Sequence, residues 1–186
     1  MKTTQILLIT LSPILSFLMN ANAATSDSKA PNFMGDYTQR SGINFAGAED
    51  KKTCLAEAPD GEWSDNTCYA KATNSIGLSR ESDVQDKYLV QISIIGGNVH
   101  TCDFTGEMTL RDNKLVYEDV IPDEKSVCKI ELEQVANGGL KIVAGDVCSE
   151  YYCGFGLVLS GTNQVFARTG DGHEITHELA VKRTQE

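Results

Sequence analysis

Between His100 and Leu110 the chain alternates so strictly that only one local structure fits it. His100, Cys102, Phe104, Gly106, Met108 and Leu110 form one set of positions, and Thr101, Asp103, Thr105, Glu107 and Thr109 form the other. A helix would scatter the first set around its cylinder, whereas a strand places it on one face. Val127 to Glu133 repeats the pattern, with Cys128, Ile130 and Leu132 set against Lys129, Glu131 and Glu133. Phe33 to Tyr37, Tyr88 to Ile95, Leu115 to Tyr117, Leu140 to Ala144, Phe155 to Leu159 and Val165 to Arg168 supply further candidate strands. Turn signals separate them: Gly96-Gly97-Asn98, Arg111-Asp112-Asn113-Lys114, Asn137-Gly138-Gly139 and Gly161-Thr162-Asn163. Residues 39–66 have weak periodicity and read as a long loop or a short helix.

About eight strands joined by short turns make an antiparallel meander in which each strand has one apolar face to bury. The fold class expected is all-β: a single up-and-down barrel or a two-sheet sandwich, with the short connections favouring the barrel.

The first 23 residues read differently. Lys2 supplies a positive start, Ile6 to Met19 is apolar apart from Thr10, Ser12, Ser16 and Pro13, and Ala21-Asn22-Ala23 is a small-x-small cleavage site. This is the pattern of a secretory signal peptide, too short to span a bilayer comfortably. No Cys lies near the cleavage site to carry a lipid, so no membrane anchor is expected. The organisation expected is a signal peptide over 1–23, a flexible leader over 24–32, a β-barrel domain over 33–170 and a polar C-terminal tail over 171–186, in a protein of the periplasm or secreted beyond it.

Six cysteines follow the leader: Cys54, Cys68, Cys102, Cys128, Cys148 and Cys153. An even number behind an export signal reads as a disulfide framework. Spacing alone does not choose among the possible connectivities. The sequential set, Cys54–Cys68, Cys102–Cys128 and Cys148–Cys153, is the simplest expectation. Zinc on thiolates is disfavoured because no two of these cysteines stand at C-x-x-C spacing.

With 16 Lys+Arg against 26 Asp+Glu, the net charge of -10 argues against a nucleic-acid reader, since phosphate would be repelled. Nucleophilic catalysis and phosphate binding lack their usual signatures, G-x-S-x-G and the P-loop. The paired acids Glu118-Asp119 and Asp123-Glu124 sit on polar faces and turns. The sharpest chemical motif is His173-Glu174-x-x-His177. On a helix it would hold zinc between His173 and His177, with Glu174 activating the bound water. A third ligand is missing: only nine residues follow His177, and Arg183 occupies the place of a third His in the extended pattern. No cofactor is therefore expected, with zinc as the alternative. A second feature is Cys148-Ser149-Glu150-Tyr151-Tyr152-Cys153. A bridged loop presenting Glu150, Tyr151 and Tyr152 would suit a protein-binding edge, because tyrosine brings contact area at low entropic cost; the alternative is that one or both tyrosines cap the open end of the barrel.

An export signal, disulfides, an antiparallel meander and an acidic surface together resemble the periplasmic lysozyme inhibitors of Gram-negative bacteria. The similarity is one of architecture. Those inhibitors insert a Ser-Gly loop into the lysozyme cleft. Ser41-Gly42 and Ser160-Gly161 are the only such pairs here, and neither continues the pattern, so no inhibitory residue is carried over. What the resemblance implies is a non-enzymatic protein that antagonises a cell-wall hydrolase, whether a lysozyme or a competitor's effector. Its partner would be a cationic muramidase steered in by the acidic surface. Two alternatives belong to other classes. One is a carrier holding an apolar ligand in a barrel cavity, with His100 inside. The other is a zinc hydrolase built on His173, Glu174 and His177.

Overall fold

A computed structural model of the chain describes residues 31–44, 47–97, 100–121, 126–154, 157–160, 164–175 and 182. Ten strands and two short helices occur among them. In chain order they are β1 (Gly35–Asn44), α1 (Lys51–Glu57), β2 (Glu62–Ser64), β3 (Thr67–Glu81), β4 (Lys87–Ile95), β5 (Thr101–Arg111), β6 (Lys114–Ile121), β7 (Ser126–Gln134), β8 (Leu140–Ala144), α2 (Asp146–Tyr152), β9 (Val165–Gly170) and β10 (Glu174–Ile175). The signal-peptide region and most of the leader lie outside the described residues.

Eight of the strands close a barrel. From β3 to β9 each pairs antiparallel with its neighbour in sequence, and β1 pairs with both β9 and β3. The all-β, up-and-down barrel expected from the alternation is the fold. β2 forms a hairpin on β3 and β10 runs parallel to its far end.

The closed ring buries one face of every strand. Tyr37, Ile76, Phe104, Met108, Leu115, Ile130, Leu132, Leu140 and Phe166 are each at most 2% exposed and point into one shared core. In β5 the buried residues are Cys102, Phe104, Gly106 and Met108, as the alternation requires. The β5–β6 turn is made by Asp112 and Asn113 with φ of 48° and 62°. These left-handed values match the twist of a two-residue hairpin, and Asn and Asp tolerate them.

The longest strand, β3, was hidden. Its inward positions include Ala72 and Asn74 as well as Ile76 and Leu78, so the apolar alternation is broken. Asn74 is buried because it does hydrogen-bonding work: its amide donates to Gln39 Oε1 at 2.7 Å, and its carbonyl accepts from the Ile95 amide at 2.9 Å. Within residues 39–66, β1 runs on to Asn44, and α1 is capped by the Asp50 carboxylate accepting from the Thr53 amide at 2.8 Å.

The disulfides partly correct the sequential expectation. Cys54–Cys68 ties α1 to β3 as expected, but the other pairs are Cys102–Cys153 and Cys128–Cys148. Strand order explains the difference. β6 lies between β5 and β7, and two strand spacings amount to roughly 9–10 Å, more than a disulfide can reach. Cys148 and Cys153 are also unable to pair with each other. Cys148 lies in a helix and Cys153 at its C-cap, where five positions turn the side chains about 140° apart. Of the strand expected at Phe155 to Leu159, the described part, Leu157 to Leu159, is irregular.

Candidate functional site

α2 caps one end of the barrel, and both of its ends are covalently fixed. Cys148 is joined to Cys128 on β7, and Cys153, just past the helix, to Cys102 on β5. Its other anchor is Ser149, only 6% exposed, whose hydroxyl accepts from the Leu159 amide at 3.1 Å. The stretch expected to be a bridged loop is thus a clamped helix, which limits the rotation of whatever it displays.

The three residues singled out there divide in two ways. Tyr152 turns inward. Its ring meets Phe104 edge-to-face with centroids 5.1 Å apart, and its hydroxyl lies 3.0 Å from that of Tyr117. Tyr117 also packs edge-to-face on Phe104 at 4.9 Å, and its hydroxyl approaches Asp119 Oδ2 at 3.2 Å. Burial first, then the neighbouring tyrosine and the Asp119 carboxylate, push the Tyr117 phenol far up from its ordinary value; burial also raises Tyr152. Both hydroxyls therefore stay protonated at neutral pH and can act as donors. Glu150 and Tyr151 face out, and Tyr151 is 58% exposed with its ring 4.9 Å from that of Tyr152.

A gap in the barrel wall makes room for this cluster. β5 and β6 pair only from Thr109–Arg111 to Lys114–Val116, although both strands continue beyond. Cys153 forms an isolated bridge with Cys102, and the Gly154 amide donates to the Thr101 carbonyl at 2.9 Å, so the chain leaving α2 takes over the start of β5. Tyr117 and Asp119 were missed as site residues. They share the inward parity of Leu115, and only the splaying of β6 from β5 brings them to α2.

His100 is corrected by the structure. It is exposed rather than inside the barrel, and its ring covers Gly154, where an added Cβ would lie 3.1 Å from Nδ1. The interior position expected for a carrier is not where this histidine sits.

His173 and Glu174 lie elsewhere, on the outside of β3. Glu174 is in a two-residue strand and not a helix, and it is ion-paired with Arg80. The His173 Nε2 lies 3.4 Å from Ser79 Oγ. Ile175 covers Leu89, an outward apolar residue of β4, and its carbonyl accepts from the Ser82 amide at 2.8 Å. These first residues of the expected polar tail thus fasten the chain to the barrel. His177 lies outside the described residues. Among the described residues no group of three or more His, Cys, Asp or Glu is placed to hold a metal ion, and no helix is long and apolar enough to cross a membrane.

At the capped end the arrangement offers an aromatic platform and carboxylates on a rigid helix, with hydroxyl donors behind it. These are the elements of recognition. No family model matches the chain, and neither the curated proteins nor the solved structures compared with it show a match.

Proposed function

We propose that this is an exported, non-enzymatic binding protein of the bacterial periplasm that antagonises a cell-wall hydrolase, with α2 as its contact element. One observation carries the reading: a helix fixed by a disulfide at Cys148 and another at Cys153 presents Glu150 and a Tyr151 that is 58% exposed, instead of burying them. Rigid, exposed aromatic residues beside a charge are the usual anchors of protein interfaces, because little entropy is lost when they are covered. The net charge of -10 favours a cationic partner such as a lysozyme or another muramidase. The resemblance in architecture to periplasmic lysozyme inhibitors points the same way. No cofactor has a part in this mechanism.

A turbidity assay of cell-wall lysis with the oxidised protein, against c-, g- and i-type lysozymes, tests the proposal. Dose-dependent protection ending at equimolar protein is expected for at least one class. Tyr151→Ala should weaken it roughly ten-fold or more without changing the melting temperature. Lysis that proceeds unchanged with every class removes lysozyme as the partner.

A further inference from the structure

Next to α2 lies a groove of about 540 Å³. One wall is the helix face bearing Asp146 and Glu150, four residues apart and therefore on the same side. Leu157, Val158 and Cys153 give it an apolar lining. Leu157 is held there because Gly96, in the β4–β5 turn, has no side chain: a Cβ at Gly96 would come within 1.9 Å of Leu157 Cδ2. Val158 remains 52% exposed at the groove. No Lys or Arg lines the groove, and neither Asp146 nor Glu150 has a cationic partner among the described residues.

We infer that this groove receives an arginine side chain of the partner protein, with the guanidinium between Asp146 and Glu150 and the methylene stem against Leu157 and Val158. The inference rests on the reading of α2 as a contact element and supplies the chemistry of what it contacts. Two carboxylates one helical turn apart suit a planar fork of donors better than the compact, strongly hydrated ammonium of lysine. The apolar lining suits a long stem that is buried along its length while its head stays charged. A second copy of this chain is disfavoured as the occupant, because two molecules each carrying a net charge of -10 repel one another.

The test uses a small probe and no hydrolase. The oxidised, ¹⁵N-labelled protein is titrated with N-acetyl-arginine-N-methylamide and with its lysine and citrulline counterparts, following amide shifts. The arginine derivative should give saturable shifts confined to the neighbourhood of Ser149, Glu150, Gly154, Leu157 and Val158. Citrulline, which has the same shape without the charge, should bind roughly ten-fold more weakly. The double variant Asp146→Asn/Glu150→Gln should lose saturation while the rest of its spectrum shows an intact barrel. Shifts spread evenly over the acidic surface, lysine binding as tightly as arginine, or an unaffected double variant would each overturn the inference. Because the probe stands alone, arginine binding without any lysozyme inhibition would leave the groove in place and reject only the hydrolase.

Discussion

Single residues show where this barrel depends on one polar or one missing side chain. Asn74 is the clearest polar case, since its carbonyl accepts the amide of Ile95 and its amide joins β3 to β1. Asn74→Leu keeps the branched shape, but it is bulkier and leaves the Ile95 amide without its partner, so a loss of about 2 kcal/mol is expected in urea unfolding. A missing side chain matters at Gly172. A Cβ there would lie 2.4 Å from the Gly35 amide nitrogen and 2.5 Å from the Leu78 carbonyl oxygen, both rigid backbone atoms. Gly172→Ala should lift residues 171–175 off the barrel, and faster hydrogen exchange at the Ser82 amide, which donates to Ile175, would report it. The half-buried phenols of Tyr117 and Tyr152 make a third case. Tyr117 and Tyr152 have raised values, chiefly through burial, so the folded protein keeps these protons longer than the unfolded chain does. The stability they contribute is complete below the ordinary tyrosine value of about 10 and is lost as pH rises through the folded values. Their tyrosinate absorbance should therefore appear together with unfolding in an alkaline titration. Tyr117→Phe/Tyr152→Phe should lower the amplitude that accompanies unfolding; a loss confined to absorbance that precedes the circular dichroism change would contradict their placement against Phe104.

Among the elements, α2 shows how a short helix is made rigid by its surroundings. Seven residues are too few for a helix to be stable by itself, and it is held by Cys128–Cys148, Cys102–Cys153 and the seat of Ser149. The Cys102–Cys153 bridge closes the longest loop, with a separation of 51 residues against 20 and 14 for the others. Chain entropy then assigns it about 4 kcal/mol and each of the others about 3 kcal/mol. Serine replacement of each pair, followed by urea unfolding, should reproduce that order. Peptide mapping without reduction should recover Cys102 linked to Cys153 and Cys128 linked to Cys148. The element level is also where sequence reading was weakest. The alternation in β5 and β7 was plain because their inward residues are all apolar or glycine. In β3, Ala72 and Asn74 obscured the same signal, and α2 was disguised by two cysteines whose nearness in sequence suggested a bridge.

For the molecule as a whole, closing the sheet decides which residues become neighbours. β1 pairs with β9, more than a hundred positions away, and so closes the ring, whose wall opens only where β6 splays from β5 among the described residues. The acidic surface acts at the same scale, through the summed field and not through single pairs. The rate of association with a cationic hydrolase is expected to fall roughly ten-fold between low and physiological salt, while dissociation changes little. Stopped-flow measurement over a salt series checks this. A flat association rate would separate the net charge from recognition.

The fold class, the turns at Asp112–Asn113 and Asn137–Gly138, and the inward face of β5 were legible along the chain. These depend on the two-residue period of a strand and on backbone conformations that a few residue types tolerate, both of which are local. The sequence also singled out Glu150, Tyr151 and Tyr152, with a protein-binding edge or a tyrosine cap on the barrel end both open; Glu150 and Tyr151 face out and Tyr152 turns inward. The disulfide pairing, the exposure of His100, the docking of residues 173–175 on β3, and the meeting of Tyr117, Asp119 and Tyr152 were set by the folded arrangement. Each of these depends on strand order and on the splaying of β6 from β5, which bring together residues that no spacing along the chain relates.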